Sequence, residues 1–386
     1  MIDQKKIVII GPAHPLRGGL ASYNERLARE FQNEGHEVII YTFSLQYPGF
    51  IFPGTTQYSS EPAPKDLTIK IKINSINPFN WISVGNELKK LNPDIIIVRY
   101  WLPLMGPCLG TVLRKVKKNN HTKIICIADN IIPHEKRFGD KPFTNYFLKS
   151  VDACITMSGK VLDDLRLFDK LKPAQFVPHP LYDNFGDKIS KEEARKELKI
   201  NNDELIILFF GFIRKYKGLD ILLDAMKILK AQITNYKLQI PKLLIAGEFY
   251  EDEKPYLQQI KDNAIEDVVI LKTNFIPDSE VKYYLCAADC VVQPYRNATQ
   301  SGVTPLAYHF EKPMIVTNVG GLPSLVPNEK AGLVAEPNAQ SIADAIVRYF
   351  QLGENFFLPH LRIEKEKYKW SCITGAIFKL ANDIQK

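Results

Sequence analysis

The sequence predicts an α/β protein built as two doubly wound halves of about 180 residues each, with a cleft between the carboxyl ends of their strands. Three observations carry this. Short β-branched and apolar runs alternate with stretches of helical period along most of the chain. The alternation breaks at Pro178-His179-Pro180 and the polar run Tyr182-Asp183-Asn184-Phe185-Gly186-Asp187, then resumes near Glu204. Glycine-bearing polar runs follow the strands that begin at Ile7, Leu205, Cys290 and Met314.

The first half opens with the strand Ile7–Ile10. Leu20–Phe31 reads as a helix with Leu20, Leu27 and Phe31 on one stripe. His36–Phe43 and the Ile-rich Asp94–Tyr100 read as strands, the latter apolar enough to be covered on both faces. Cys108–Lys118 reads as a helix, and Lys123–Ile127, Ala153–Thr156 and Phe176–Val177 as strands. A short charged helix, Lys191–Leu198, precedes the second series. Its strands are Leu205–Phe209, Lys242–Ala246, Val268–Leu271, Cys290–Gln293 and Met314–Val316. Its helices are Leu219–Lys230, Lys254–Asn263, Ser279–Ala287, one entered near Ser301, and Ala339–Phe350. Lys365 to Ile384 holds a further apolar-periodic helix with Trp370, Ile373, Phe378 and Leu380, and its pattern fits either half. The expected division is an N-terminal domain at 1–182, a C-terminal domain at 190–364 and a terminal helix at 365–386.

Hydrophobic residues make up 45% and charged residues 24% of the 386, ordinary values for a soluble globular protein. No apolar run is long enough to span a bilayer. Met1 to Lys6 leads straight into the first strand, so no secretory leader is expected. The cysteines at 108, 126, 154, 286, 290 and 372 form no C-x-x-C pair. Buried free thiols in a reducing cytoplasm are expected, with no zinc centre or disulfide framework. The net charge of +7 is unevenly placed: residues 1–182 hold 24 Lys and Arg against 16 Asp and Glu. Arg114-Lys115-Val116-Lys117-Lys118, with His121 and Lys123 nearby, reads as a basic amphipathic helix. It suits an anionic partner such as a lipid phosphate or the inner face of the cytoplasmic membrane, although a solvated helix face has the same pattern. No nucleic-acid-binding module is recognisable, so none is expected as a partner.

The most informative run is Phe210-Gly211-Phe212-Ile213-Arg214-Lys215-Tyr216-Lys217-Gly218-Leu219-Asp220. A strand, a glycine turn, two cations and a helix start together suit a diphosphate. Arg214 offers a planar fork of donors and Lys217 a compact charge, and a helix start adds free N–H groups. Gly11 to Gly19 ends the first strand with consecutive glycines, Gly18 and Gly19, which let a ligand approach the backbone. It is neither Gly-x-Gly-x-x-Gly nor a Walker loop. Gln293-Pro294-Tyr295-Arg296-Asn297-Ala298-Thr299-Gln300-Ser301-Gly302 follows another strand, and Thr299, Gln300 and Ser301 open a helix, where Thr299 or Ser301 also suits a plain N-cap. Val316 to Pro323, with Gly320-Gly321, closes the same edge. His14, His179 and His309 have no local partner and read as packing or capping residues. No Asp-x-Asp ends a strand, against a metal-assisted mechanism.

In this order the motifs resemble the group 1 glycosyltransferases, family four of the retaining GT-B enzymes, over nearly the whole length. The segments that carry it are Arg17-Gly18-Gly19, Asp129 to Glu135, Phe210–Asp220, Gln293–Gly302 and Lys312-Pro313 through Gly320-Gly321. The resemblance implies two Rossmann-like domains facing across a cleft, the first on the acceptor side and the second binding the nucleotide sugar, with a C-terminal helix crossing back to the first. It implies transfer from a UDP- or GDP-linked donor to a glycan or lipid-linked acceptor with retention, without metal or cofactor. Arg214 and Lys217 match the cations that hold the diphosphate. Gly18 and Gly19 match the glycine loop, and Ser301 and Gly302 lie where N–H groups cap the β-phosphate. Phe275 and Ile276 match the segment touching the base, and His134 and Glu135 a Pro-His-Glu element near the acceptor. Two departures stand out. Thr299 and Ala307 occupy the places of two family glutamates, and Asp129 the place of a histidine, where it would handle sugar or acceptor. A sugar-nucleotide epimerase of the same fold, a non-catalytic sugar-nucleotide-binding protein and a membrane-associated scaffold are the competing expectations.

Overall fold

The computed structural model describes residues 3–47, 57–59, 62–133, 138–233, 239–298 and 301–384. The chain divides at Pro178/His179 and again at Lys369/Trp370 into two compact units. In the first, β1 (Lys6–Ile10), α1 (Gly19–Asn33), β2 (Glu37–Leu45), β3 (Thr68–Asn74), α2 (Pro78–Leu91) and β4 (Ile95–Tyr100) lead to α3 (Gly106–Val116) and β5 (Lys123–Ala128). There follow α4 (Asp140–Leu148), β6 (Ala153–Thr156), α5 (Gly159–Phe168) and β7 (Ala174–Phe176). These strands form a seven-stranded parallel sheet in the order β3-β2-β1-β4-β5-β6-β7.

The second unit opens with α6 (Lys191–Leu198) and β8 (Ile206–Phe210), then α7 (Leu219–Ile233), β9 (Lys242–Ala246), α8 (Lys254–Asp262), β10 (Val269–Lys272) and α9 (Val281–Ala287). It continues through β11 (Cys290–Gln293), α10 (Val303–His309), β12 (Met314–Thr317), α11 (Leu322–Leu325), β13 (Gly332–Ala335), α12 (Ala339–Leu352) and α13 (Glu354–Lys365). Its six-stranded parallel sheet runs β10-β9-β8-β11-β12-β13. The last helix, α14 (Trp370–Asp383), belongs to the first unit.

Side chains alternate across each strand, so each sheet feeds two cores. Val8, Ile10, Tyr41 and Val98 pack under α2, α3, α4 and α5 through Leu88, Leu109, Phe147 and Leu165. Ile7, Ile9 and Ile97 pack under α1 and α14 through Leu27, Phe31, Ile373 and Ile377. Phe378 meets Phe31 edge-on with centroids 5.6 Å apart, and Thr374 Oγ1 donates to Glu34 Oε1 at 2.5 Å. In the second unit, Ile207 and Phe209 face α7 and α12, while Leu208 faces α9 and α10.

β3, α2, α4, α5, α11, β13 and α13 are not among the elements expected from the sequence. The signals for β3 and α2 are present: Thr68 to Asn74 alternates strictly, and Asn77 caps α2 ahead of Pro78, accepting from Phe79 N at 3.0 Å and Asn80 N at 3.3 Å. The unit boundaries also fall at Pro178 and Trp370 rather than at 182 and 365. Leu181 and Tyr368 join the second core, and Leu181 N donates to Tyr368 O at 2.8 Å.

A single device sets the strand starts in both units. Asp94, just before β4, takes a hydrogen bond from Lys6 N of β1 at 2.8 Å, and Asp152, before β6, one from Ile124 N of β5 at 2.8 Å. Asp289, before β11, takes one from Ile206 N of β8 at 2.6 Å. Each carboxylate satisfies an N–H at a sheet edge that would otherwise lack a partner. In both units the strand order reverses next to the first strand, between β1 and β4 and between β8 and β11. Open α/β sheets bind ligands at that position, outside the carboxyl ends of the strands.

Candidate functional site

In the second unit the chain leaves β8 at Gly211, whose φ of +92° only glycine adopts cheaply. Pairing with the loop after β9 continues: Ile213 N donates to Glu248 O at 2.7 Å and Tyr250 N to Ile213 O at 3.0 Å. This sets the exposed Arg214 guanidinium over the Tyr250 ring, 5.0 Å from its centroid. A short 3-10 turn, Lys215–Lys217, then folds Lys217 back, so that its Nζ stands 3.0 Å from where a Cβ on Gly211 would be. Lys217 is only 9% exposed, and among the described residues no carboxylate pairs with it. Burial, and then the charge of Arg214, push its ammonium down to about 8.

The loop after β11 supplies the other wall. Arg296 N donates to Tyr216 O at 2.7 Å, and the Arg296 guanidinium pairs with Asp220. The buried Tyr295 ring lies 5.9 Å from Lys217 Nζ, and Tyr295 Oη meets Ser301 Oγ at 3.2 Å. Ser301 Oγ also accepts from Val303 N at 3.2 Å, so its side chain serves the start of α10, with Gly302 as the residue preceding the helix. Gln293 and Thr304 exchange hydrogen bonds at 3.2 Å beneath them.

Two glycines press neighbouring loops onto the loop after β11, Gly218 from the β8 side and Gly320 from the loop after β12. A Cβ on Gly218 would lie 2.0 Å from Pro294 O, and one on Gly320 would lie 1.6 Å from Ala298 O. Gly218 also has φ +67°. Gly218→Ala should therefore separate the β8 and β11 loops at a cost of about 2–4 kcal/mol from the left-handed backbone and the clash. A thermal melt checks this, and an unchanged midpoint would show that the loops yield.

In the first unit, Gly18 (φ +107°) precedes α1, and a Cβ on Gly18 or Gly19 would meet nothing within 4 Å. Asp129 follows β5 and is held by Arg99 of β4 through a two-pronged pair, Nε to Oδ2 and Nη2 to Oδ1, each 2.5 Å. Arg99 is not among the residues expected from the sequence. The signal was a lone cation in Ile95-Ile96-Ile97-Val98-Arg99-Tyr100, a strand covered on both faces, where a charge needs a partner. Beyond Asp129, Ile131, Ile132, Pro133, Thr144 and Phe168 line a largely apolar pocket of ≈ 330 Å³.

His134, Glu135, Thr299 and Gln300 lie outside the described residues. Phe275 is 66% exposed in the loop after β10, while Ile276 packs on the second core. That edge strand is two positions from the β8/β11 switch. His179 Nδ1 and His309 Nε2 contact the Pro180 and Gly186 carbonyls, each at 2.8 Å. Among the described residues no group of three or more His, Cys, Asp or Glu is placed to hold a metal ion.

Comparison with known proteins agrees with this geometry. The profile of glycosyl transferases group 1 matches residues 190–360, and that of glycosyltransferase family 4 matches residues 17–180. A putative teichuronic acid biosynthesis glycosyltransferase, TuaC of Bacillus subtilis, is 25% identical over 68% of this chain, a stretch covering 62% of TuaC. An uncharacterized glycosyltransferase of Methanocaldococcus jannaschii is 28% identical over 98% of this chain and 99% of its own length. The structure of Anabaena HepE in complex with UDP-glucose superposes with a TM-score of 0.66 at 14% identity, covering 98% of this chain and 99% of that one. With two Rossmann-like parallel sheets and both profiles in register with them, the chain belongs to the group 1 (family 4) glycosyltransferases of GT-B fold.

Proposed function

We propose that this glycosyltransferase moves a sugar from a UDP- or GDP-linked donor to a glycan or lipid-linked acceptor with retained anomeric configuration. The observation that carries the reading is Lys217, a buried ammonium with no carboxylate partner among the described residues, in one turn with Arg214 at the β8/β11 switch. A diphosphate leaving group gains negative charge in the transition state, and fixed cations in a site shielded from water stabilise it without reorganising. Arg214 and Lys217 would supply the charge compensation that a metal supplies elsewhere. The backbone near Ser301 and Gly302 would add N–H donors. The leaving phosphate oxygen takes the proton of the attacking hydroxyl on the same face, so no strong general base is needed. HepE binds UDP-glucose, which favours a nucleotide sugar here as well.

An acceptor with a lipid part suits the first unit. Phe79 and Ile82 of α2 and Phe143 and Tyr146 of α4 are exposed, with Arg114 and Lys118 on and just after the intervening α3, Lys141 on α4 and Lys149 just after it. Among the described residues no helix is long and apolar enough to cross a membrane. Contact of this basic, partly apolar face with an anionic bilayer at the inner side of the cytoplasmic membrane is the corresponding proposal.

Calorimetry with UDP, GDP and ADP tests the reading, and binding of none of them removes it. The pH dependence is specific. The free protein holds the Lys217 proton below about 8 and releases it above. A diphosphate favours the charged form, so affinity should be greatest below that pH. It should fall by up to about tenfold per unit above it, with proton uptake on binding. A flat profile between pH 7 and about 9.5 would separate Lys217 from the phosphates.

A further inference from the structure

Arg99 sits where the first sheet reverses its strand order, on β4 beside β1. It is 3% exposed; a Cβ on Gly11 would stand 3.1 Å from its Cβ, and its guanidinium lies 3.9 Å from the centroid of the Tyr23 ring. Two of its nitrogens grip both oxygens of Asp129, whereas Nη1 is buried without a hydrogen-bond partner among the described residues. Burying such a pair is costly, and an apolar pair of similar volume would serve the fold as well or better. Asp129 is the member that reaches outward, its side chain 16% exposed at the carboxyl end of β5. A carboxylate has about four acceptor positions, and the guanidinium fork occupies two of them. The other two are held in one orientation at the sheet edge where ligands bind.

We propose that Arg99 is a positioning residue that fixes the Asp129 carboxylate as a hydrogen-bond acceptor for a hydroxyl of the substrate sugar. The inference rests on the glycosyltransferase reading. It assigns Asp129 to orienting substrate, and it makes Arg99 necessary for turnover without touching substrate. A lysine at 99 keeps the charge but offers no planar fork, so it cannot fix both oxygens.

The test compares wild type with Arg99→Met, Arg99→Lys, Asp129→Asn and the Arg99→Met/Asp129→Asn double variant. Each is assayed for nucleotide release from a panel of UDP-, GDP- and ADP-sugars in water, and for transfer to p-nitrophenyl glycosides. Thermal midpoints are recorded in parallel. Arg99→Met alone strands the carboxylate and should lower the midpoint, and the double variant should restore it. The double variant should nevertheless keep a kcat/KM about 10- to 100-fold below wild type, and Arg99→Lys should recover little. Loss in both assays places the hydroxyl on the donor sugar, and loss in transfer alone places it on the acceptor. A double variant that regains both stability and turnover makes the pair purely structural and overturns the proposal. Wild type that releases nucleotide from no donor removes the functional reading as well, so the two failures are told apart.

Discussion

Replacing Lys217 with alanine should lower kcat by roughly 30- to 1000-fold, equivalent to roughly 2–4 kcal/mol of transition-state stabilisation. The size follows from burial. An ammonium screened from water acts on a developing negative charge through a lower effective dielectric than an exposed one. Arg214 is exposed and rests over Tyr250, so Arg214→Ala should cost less. The same burial makes a second, opposite expectation. Burial, and then the charge of Arg214, depress the Lys217 pKa at the expense of the fold, so Lys217→Ala should leave the thermal midpoint unchanged or raised. Slow turnover with an intact melt identifies a group kept for chemistry. Full turnover at saturating donor would remove Lys217 from the mechanism.

Asp289→Ala should cost about 3–5 kcal/mol of stability, the range found when one member of a buried ion pair is removed. Asp289 takes hydrogen bonds from Lys191 Nζ at 2.7 Å, Arg195 Nη2 at 3.2 Å and Ile206 N at 2.6 Å. Arg195 is 3% exposed, and without Asp289 its charge would be stranded beside β8. Lys191 would retain Glu354, 2.8 Å away, so the loss should centre on Arg195 and the start of the sheet. The midpoint of the second unit should fall by roughly 10 °C in calorimetry, taking 2–4 °C per kcal/mol at this size. A fall of under about 2 °C would mean that water or a shifted side chain takes over the carboxylate's partners.

The βα alternation and most strands were legible because parallel strands covered on both faces leave continuous apolar runs, as in Ile7–Ile10 and Ile95–Val98. β3 was hard to see for the opposite reason. It is an edge strand whose lysines, Lys70 and Lys72, dilute its apolar signal. Arg214 and Lys217 could be picked out because turn, cations and helix start are contiguous. What sequence order hides is pairing at a distance. Asp129 follows β5, and its partner is thirty positions upstream on the neighbouring strand. The closure of the β8 loop on the β11 loop likewise depends on Gly218 meeting a carbonyl at position 294, and nothing local to either announces it.

The placement of α14 sets an order of events during synthesis. The first unit is complete only with a helix that emerges after every residue of the second. Until then Ile7, Ile9, Tyr23 and Phe31 lack the cover that Trp370, Ile373 and Ile377 provide. A nascent chain on the ribosome therefore carries one finished globule and one with an open apolar flank. Fragments ending near Pro178 should bind the dye ANS and aggregate, and a peptide spanning α14 supplied in trans should suppress both.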